Sequence, residues 1–145
     1  MHWVDAGDGS AGKIQAVPGV GGVKAARAYR IAINQNHEPP AQLATIAHEL
    51  GHLFLGHLGS DKRLKAPSRP RLSLKQREIE AESVAYIVCR RDGITPESLS
   101  YLSGFMNGSD EGELVDVYQV MRTAGQVETI LDLASRSSFD SPSGA

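Results

Sequence analysis

The chain has 145 residues, 41% hydrophobic and 22% charged, with a formal net charge of -2; this suits one soluble globular domain and is short for two. The near-neutral charge argues against a nucleic-acid coat protein and against an acidic mimic of DNA. The lone cysteine, Cys89, excludes an internal disulfide and fits a reducing cytoplasm, while no apolar run nears the roughly 20 residues of a membrane span and no signal peptide is recognisable at the start.

Residues 1–28 are rich in glycine and small side chains, with Val17-Pro18-Gly19-Val20-Gly21-Gly22-Val23 at the centre, and read as loop or short, irregular strands. Tyr29, Ile31 and Ile33 then alternate with Arg30, Ala32 and Asn34, which predicts a half-buried strand. Pro39 and Pro40 stop it and suit the first turn of a helix. From Ala41 to about His57, Leu43, Ile46, Ala47, Leu50, Leu53 and Phe54 form one apolar stripe, with Gly56 and Gly59 as terminators. Residues 58–75 read as a surface loop. A second helix is expected from about Ser73 to Arg91, ended by Asp92-Gly93. A short helix should follow Thr95-Pro96-Glu97, and a longer one should span Glu111 to Ala134. The expected organisation is a single domain over 1–134 with a disordered tail at 135–145.

The chemistry is concentrated in His48-Glu49-Leu50-Gly51-His52. Residues four apart lie on one helix face, so His48 and His52 can offer two imidazole nitrogens to one metal ion. Glu49 sits beside the first ligand, placed to handle the proton of a water rather than to ligate. Two ligands and a general base on one rigid helix are the requirements of a zinc hydrolase. A chance pattern on an amphipathic helix is the bland alternative, and residue frequencies put it on the order of one per cent for such a chain.

A catalytic zinc site needs a third protein ligand. His57 is close in sequence, but a continuing helix would carry it about 140° around from His52 and about 180° from His48. The long-motif metallopeptidases break the helix at a glycine three residues after the second histidine and place a third histidine three further on. Those positions are Leu55 and Leu58 here, so His57 reads as a helix-end residue near the last carbonyls. The better candidates are Glu78 and Glu82, which share a face at i, i+4, while Glu80 points away. One of the two would bind the metal and the other would hold a ligating histidine through its second ring nitrogen; a solvated acidic helix face is the plain alternative.

Together, His48-Glu49-Leu50-Gly51-His52-Leu53-Phe54-Leu55 and Glu78-Ile79-Glu80-Ala81-Glu82-Ser83-Val84-Ala85 resemble the ImmA/IrrE family of metallopeptidase-like proteins. They are also similar to the metallopeptidase domain of ArdC-type antirestriction proteins. The resemblance covers roughly residues 29–133. It implies an α+β, zincin-like (gluzincin-type) fold with a short sheet, an active-site helix and about three further helices. It also implies a bound zinc ion with Glu78 as third ligand. The position four later, usually asparagine in the family, is Glu82 here, which leaves open which of Glu78 and Glu82 reaches the metal. The implied activity is hydrolysis of peptide bonds, with Glu49 as base and a regulatory or repressor protein of a prophage or mobile element as substrate. An edge strand at residues 29–34 would pair with the extended peptide. Tyr86, Tyr101 and Arg90 are candidates to stabilise the oxyanion.

Lys62, Arg63, Lys65, Arg69, Arg71, Lys75 and Arg77 face one acid, Asp61, between residues 61 and 77. This basic stretch is either a solvated linker or a surface for an acidic protein or nucleic acid, although it carries no aromatic residue for base stacking. It supports the competing expectation of a non-proteolytic, metal-binding antirestriction protein. A regulatory partner domain whose DNA-binding module lies on another chain is a third. Cys89, on the inner side of its helix, is expected to be an inert buried thiol.

Overall fold

The computed structural model describes residues 2–4, 12–17, 28–94 and 116–132. Three strands, β1 (His2–Val4), β2 (Gly12–Val17) and β3 (Ala28–Asn34), form one sheet in the order β1-β3-β2. β1 runs parallel to β3, with His2 opposite Ala32. β2 runs antiparallel to it, with Gly12 opposite Ile33 and Val17 opposite Ala28. Three helices complete the described residues: α1 (Pro39–Phe54), α2 (Leu74–Arg91) and α3 (Val117–Ile130). The class is therefore α+β.

The glycine-rich start, read as loop or short, irregular strands, contributes two strands, one of them six residues long. Residues 28–34 are consequently the central strand and not an edge: both sides of β3 are occupied. No strand among the described residues pairs with the outer side of β2.

Period-two alternation along β3 sends Ile31 and Ile33 into the core. Asn34, at the strand end, is also fully buried. Its side chain accepts from the Asn36 N–H at 2.9 Å and its carbonyl accepts from Gln42 Nε2 at 3.2 Å, which satisfies the polar groups that burial would otherwise penalise. α1 begins at Pro39, two residues earlier than expected. Both prolines occupy the first positions, where the missing N–H has no helical partner to lose.

Ser73 opens α2 with a reciprocal capping box: its Oγ accepts from Gln76 N–H at 3.0 Å, and Gln76 Oε1 accepts from Ser73 N–H at 2.8 Å. The expected long third helix starts at Val117 because Asp116 is extended and its carboxylate accepts from Gln119 N–H, capping the helix there. It ends at Ile130. The expected short helix after Thr95 and the expected tail lie outside the described residues.

Leu50, Leu53 and Phe54 of α1 pack with Val84 and Val88 of α2, Val120 and Val127 of α3, and β3 beneath them. Each such fully buried side chain contributes about 1.5–3 kcal/mol before entropy is counted. At Gly51 a Cβ would already touch Val84 Cβ at 3.4 Å and Ala81 Cα at 3.5 Å. The glycine between the two histidines thus lets α2 come close enough to reach the histidine face of α1.

The loop from 58 to 73 is tied down rather than loose. Asp61 and Ala66 form a two-way backbone bridge, at 3.0 and 2.9 Å. Tyr29 on β3 donates to Asp61 Oδ2 at 2.8 Å. From α3, Arg122 donates to the carbonyls of Phe54 and Lys65, and Gln126 donates to that of Leu64. No helix of the described residues is long and apolar enough to cross a membrane.

Candidate metal centre

α1 and α2 meet over His48, His52 and Glu78. His48 Nε2 and His52 Nε2 are 3.1 Å apart. Glu78 closes the triangle, with one oxygen 3.2 Å from His48 Nε2 and the other 3.4 Å from His52 Nε2. An ion with tetrahedral bonds of about 2.0–2.1 Å sets its ligand atoms about 3.3–3.4 Å apart, and one atom from each of the three residues lies within 4.8 Å of the others, close enough to hold one ion. Two imidazoles and one carboxylate are also the donor set that suits zinc.

Glu82 takes the other role on the same helix face. Its Oε1 lies 2.5 Å from His48 Nδ1, the ring nitrogen turned away from the triangle. The approach is too oblique for an aligned hydrogen bond, and Nδ1 has no other partner among the described residues. Glu78 thus faces both Nε2 atoms, and Glu82 faces the back of His48.

The electrostatics favour positive charge at this point. Burial by itself would lower the His48 imidazole. The contacts with Glu78 and Glu82 and the charge of Glu49 outweigh it and raise the group to about 10. The same two histidines hold the Glu78 carboxyl far below the usual carboxylate range. Glu49 is raised instead, because burial penalises its charge more than the two imidazoles and an Ile14 backbone hydrogen bond favour it. A carboxyl shifted upward in this way is suited to accepting and returning a proton.

These side chains lie in a cleft of about 630 Å³ whose walls include Gly12, Lys13 and Ile14 of β2, Leu74 and Arg77 of α2, and the metal triangle. Neither Tyr86 nor Arg90 is part of that wall, and Tyr101 lies outside the described residues. The cations that do line it are Lys13 and Arg77. Sequence reasoning passed over both, since a lysine in an irregular segment and an arginine in a basic stretch give no signal of their own.

His57 and Glu80 depart furthest from expectation. His57 Nδ1 lies 2.8 Å from His52 Nδ1, and its Nε2 lies 2.9 Å from Glu80 Oε1. Glu80 does point away from the Glu78–Glu82 face, as expected, but into the interior rather than into solvent. Arg69 grips it at both oxygens, at 2.7 and 2.5 Å. Burial would raise the Glu80 carboxyl, yet His57, Arg69 and the Asp116 N–H hold it down to about 2. His57 is shifted down, chiefly by burial. Arg69, counted in the basic stretch, is therefore an internal counter-ion. Cys89 is fully buried, and burial pushes its thiol up to about 11, which keeps it protonated and unreactive.

His57 reaches back because α1 ends in a reversal. Gly56 adopts φ +83°, its N–H bonds to the Leu53 carbonyl at 3.2 Å, and the His57 N–H bonds to the His52 carbonyl at 3.0 Å. This is a Schellman turn, and it folds His57 over the last helical turn. The angular argument against contact with His52 holds only for a helix that continues.

Residues 13–89, more than half of the chain, match the family described as peptidase M78, the IrrE N-terminal-like domain. The match spans β2, β3, α1 and nearly all of α2, and so contains every residue of the candidate centre. No curated protein and no solved structure matches the chain.

Proposed function

The chain belongs to the IrrE N-terminal-like (peptidase M78) family, and from that membership and the geometry of the α1–α2 cleft we propose that it is a zinc-dependent endopeptidase with a zincin-like active site. The observation that carries this reading is the convergence of His48 Nε2, His52 Nε2 and the Glu78 carboxylate, one oxygen of which lies 3.2 Å from the first nitrogen and the other 3.4 Å from the second. When bound there, zinc supplies acidification of water toward neutrality and polarisation of a carbonyl.

The chain's own residues do the rest. Glu49 accepts the proton of the attacking water and hands it to the leaving amine nitrogen; its raised affinity for a proton supports that shuttle. Glu82 places its negative charge behind His48. The extended peptide substrate adds along the outer side of β2, whose Lys13 and Ile14 form one wall of the cleft. Arg77 and Lys13 take the place of Tyr86 and Arg90 as groups to stabilise the oxyanion. A regulatory protein, such as a repressor of a mobile element, is the proposed substrate class, and the cytoplasm the proposed location. A DNA-associated, non-proteolytic role draws less support, since Arg69 is turned inward onto Glu80.

Glu49→Gln separates these roles. With a fluorogenic peptide library as substrate, the variant should bind zinc as the unsubstituted protein does and cleave about 10²–10⁴-fold more slowly. Cleavage at the unsubstituted rate, or a purified protein that takes up no zinc, would refute the proposal.

A further inference from the structure

The hydrogen-bond chain behind His52 has a direction. Glu80 is held at both oxygens by Arg69 and also accepts from the Asp116 N–H at 3.3 Å, so it is an ionised carboxylate that can only accept. His57 Nε2, 2.9 Å from Glu80 Oε1, must therefore carry a ring proton. A neutral imidazole protonated at Nε2 has a bare lone pair at Nδ1. In that neutral form the lone pair faces His52 Nδ1 at 2.8 Å, and a bond between two nitrogens needs one proton, which His52 then supplies. With an ion in place of any proton that His52 Nε2 directs at Glu78, a proton on His52 Nδ1 leaves the lone pair of His52 on Nε2, the atom that meets His48 Nε2 and Glu78.

We infer that His57 is a positioning residue that fixes His52 in the one tautomer able to ligate a metal through Nε2, and that Arg69 and Glu80 fix His57 in turn. The relay extends the usual carboxylate-to-histidine support of a metal ligand by one ring. Only 2% of the His57 side chain and none of the Glu80 side chain is exposed, although His57 forms part of the cleft wall. The relay also links the start of α3, through Asp116, and the basic loop, through Arg69, to the metal centre. The inference rests on the metal site proposed above.

Zinc affinity of the full chain, measured by competition with a chromogenic chelator, tests the relay. His57→Leu removes the acceptor and should weaken zinc binding about 10–100-fold. His57→Gln should restore it to within a few-fold, because the amide can accept from His52 and donate to Glu80 at once. In the zinc-loaded, ¹⁵N-labelled unsubstituted protein, a scalar coupling should cross the His52 Nδ1–H to His57 Nδ1 bond, with the proton on His52. This last reading does not depend on whether either variant folds. A proton found on His57 Nδ1, equal weakening by Leu and Gln, or an undiminished affinity in His57→Leu would overturn the relay while leaving the metal site in place. Failure of the unsubstituted protein to bind zinc would remove both.

Discussion

Glu80 carries a charge with none of its side chain in contact with solvent, and the energetic consequence falls on Arg69. A buried ion pair is a weak stabiliser as a whole, but removing one partner strands the other's charge in a low-dielectric interior. Arg69→Met should therefore cost about 3–5 kcal/mol, readable as a lower midpoint in urea unfolding. Replacing both partners, as in Arg69→Met with Glu80→Leu, should recover only part of that loss, because His57 and the Asp116 N–H then lose their acceptor. If the single variant unfolds at the same urea concentration as the unsubstituted protein, the pair is not buried as described. The pair also sets an acid limit. Glu80 is held near 2 in the folded protein against an ordinary 4.5, so its ionised form favours the folded state. That contribution is whole above about pH 4.5 and is lost as pH falls toward 2. Stability measured across this window should fall more steeply in the unsubstituted protein than in Glu80→Gln, which has no proton to take up there.

At the scale of the elements, the helices were legible because an apolar stripe with period 3.6 is a local signal, and α1 and α2 each carry one with terminators at hand. The strands before residue 28 are legible only as one of two readings, loop or short, irregular strands, with no bounds or partners. β2 is identified by pairing with residues 28–33 and β1 by pairing with residues 32–34, and contacts so distant in sequence leave no period in a short, glycine-rich segment. For the same reason the sequence does not distinguish an edge from a centre at residues 29–34: alternation reveals a half-buried strand but not how many neighbours it has. His48, Glu49, His52, Glu78 and Glu82 were readable from spacing on a helix. His57 was not, because its position depends on one backbone reversal. Gly56 is where that reversal can be tested. Its φ of +83° is costly for any residue with a Cβ, and a Cβ there would meet the Pro67 carbonyl oxygen at 2.1 Å. Gly56→Ala should lose at least about 1–3 kcal/mol of stability by calorimetry, and should weaken zinc binding in step with His57→Leu because the reversal carries His57. By contrast Gly125, in α3, has nothing within 4 Å of its virtual Cβ. Gly125→Ala should gain up to about 1 kcal/mol. A stabilised Gly56→Ala would mean that the turn is not left-handed.

For the whole molecule, the candidate centre is a joint between α1 and α2, and its occupancy bears on the stability of everything packed around that joint. His48 and His52 come from one helix and Glu78 from the other. The relay brings in α3 and the loop before α2 through Asp116 and Arg69. In the unfolded chain Glu78 is separated from the histidines by a long flexible segment, so an ion that prefers the assembled triangle favours the folded state by mass action. With free zinc at a thousandfold excess over its Kd, the gain is about 4 kcal/mol, which for a chain of this size corresponds to a melting temperature higher by on the order of 10 °C. Removing zinc with a chelator should lower the melting temperature by that amount in the unsubstituted protein and in Glu49→Gln, whose ligands are intact. In His48→Ala and Glu78→Ala the chelator should change the melting temperature little, because the triangle is already broken. If all four proteins respond alike, the stabilising ion sits elsewhere. If none responds, the acidic residues around His48 and His52 serve to hold a proton rather than a metal, and the peptidase assignment loses its physical basis.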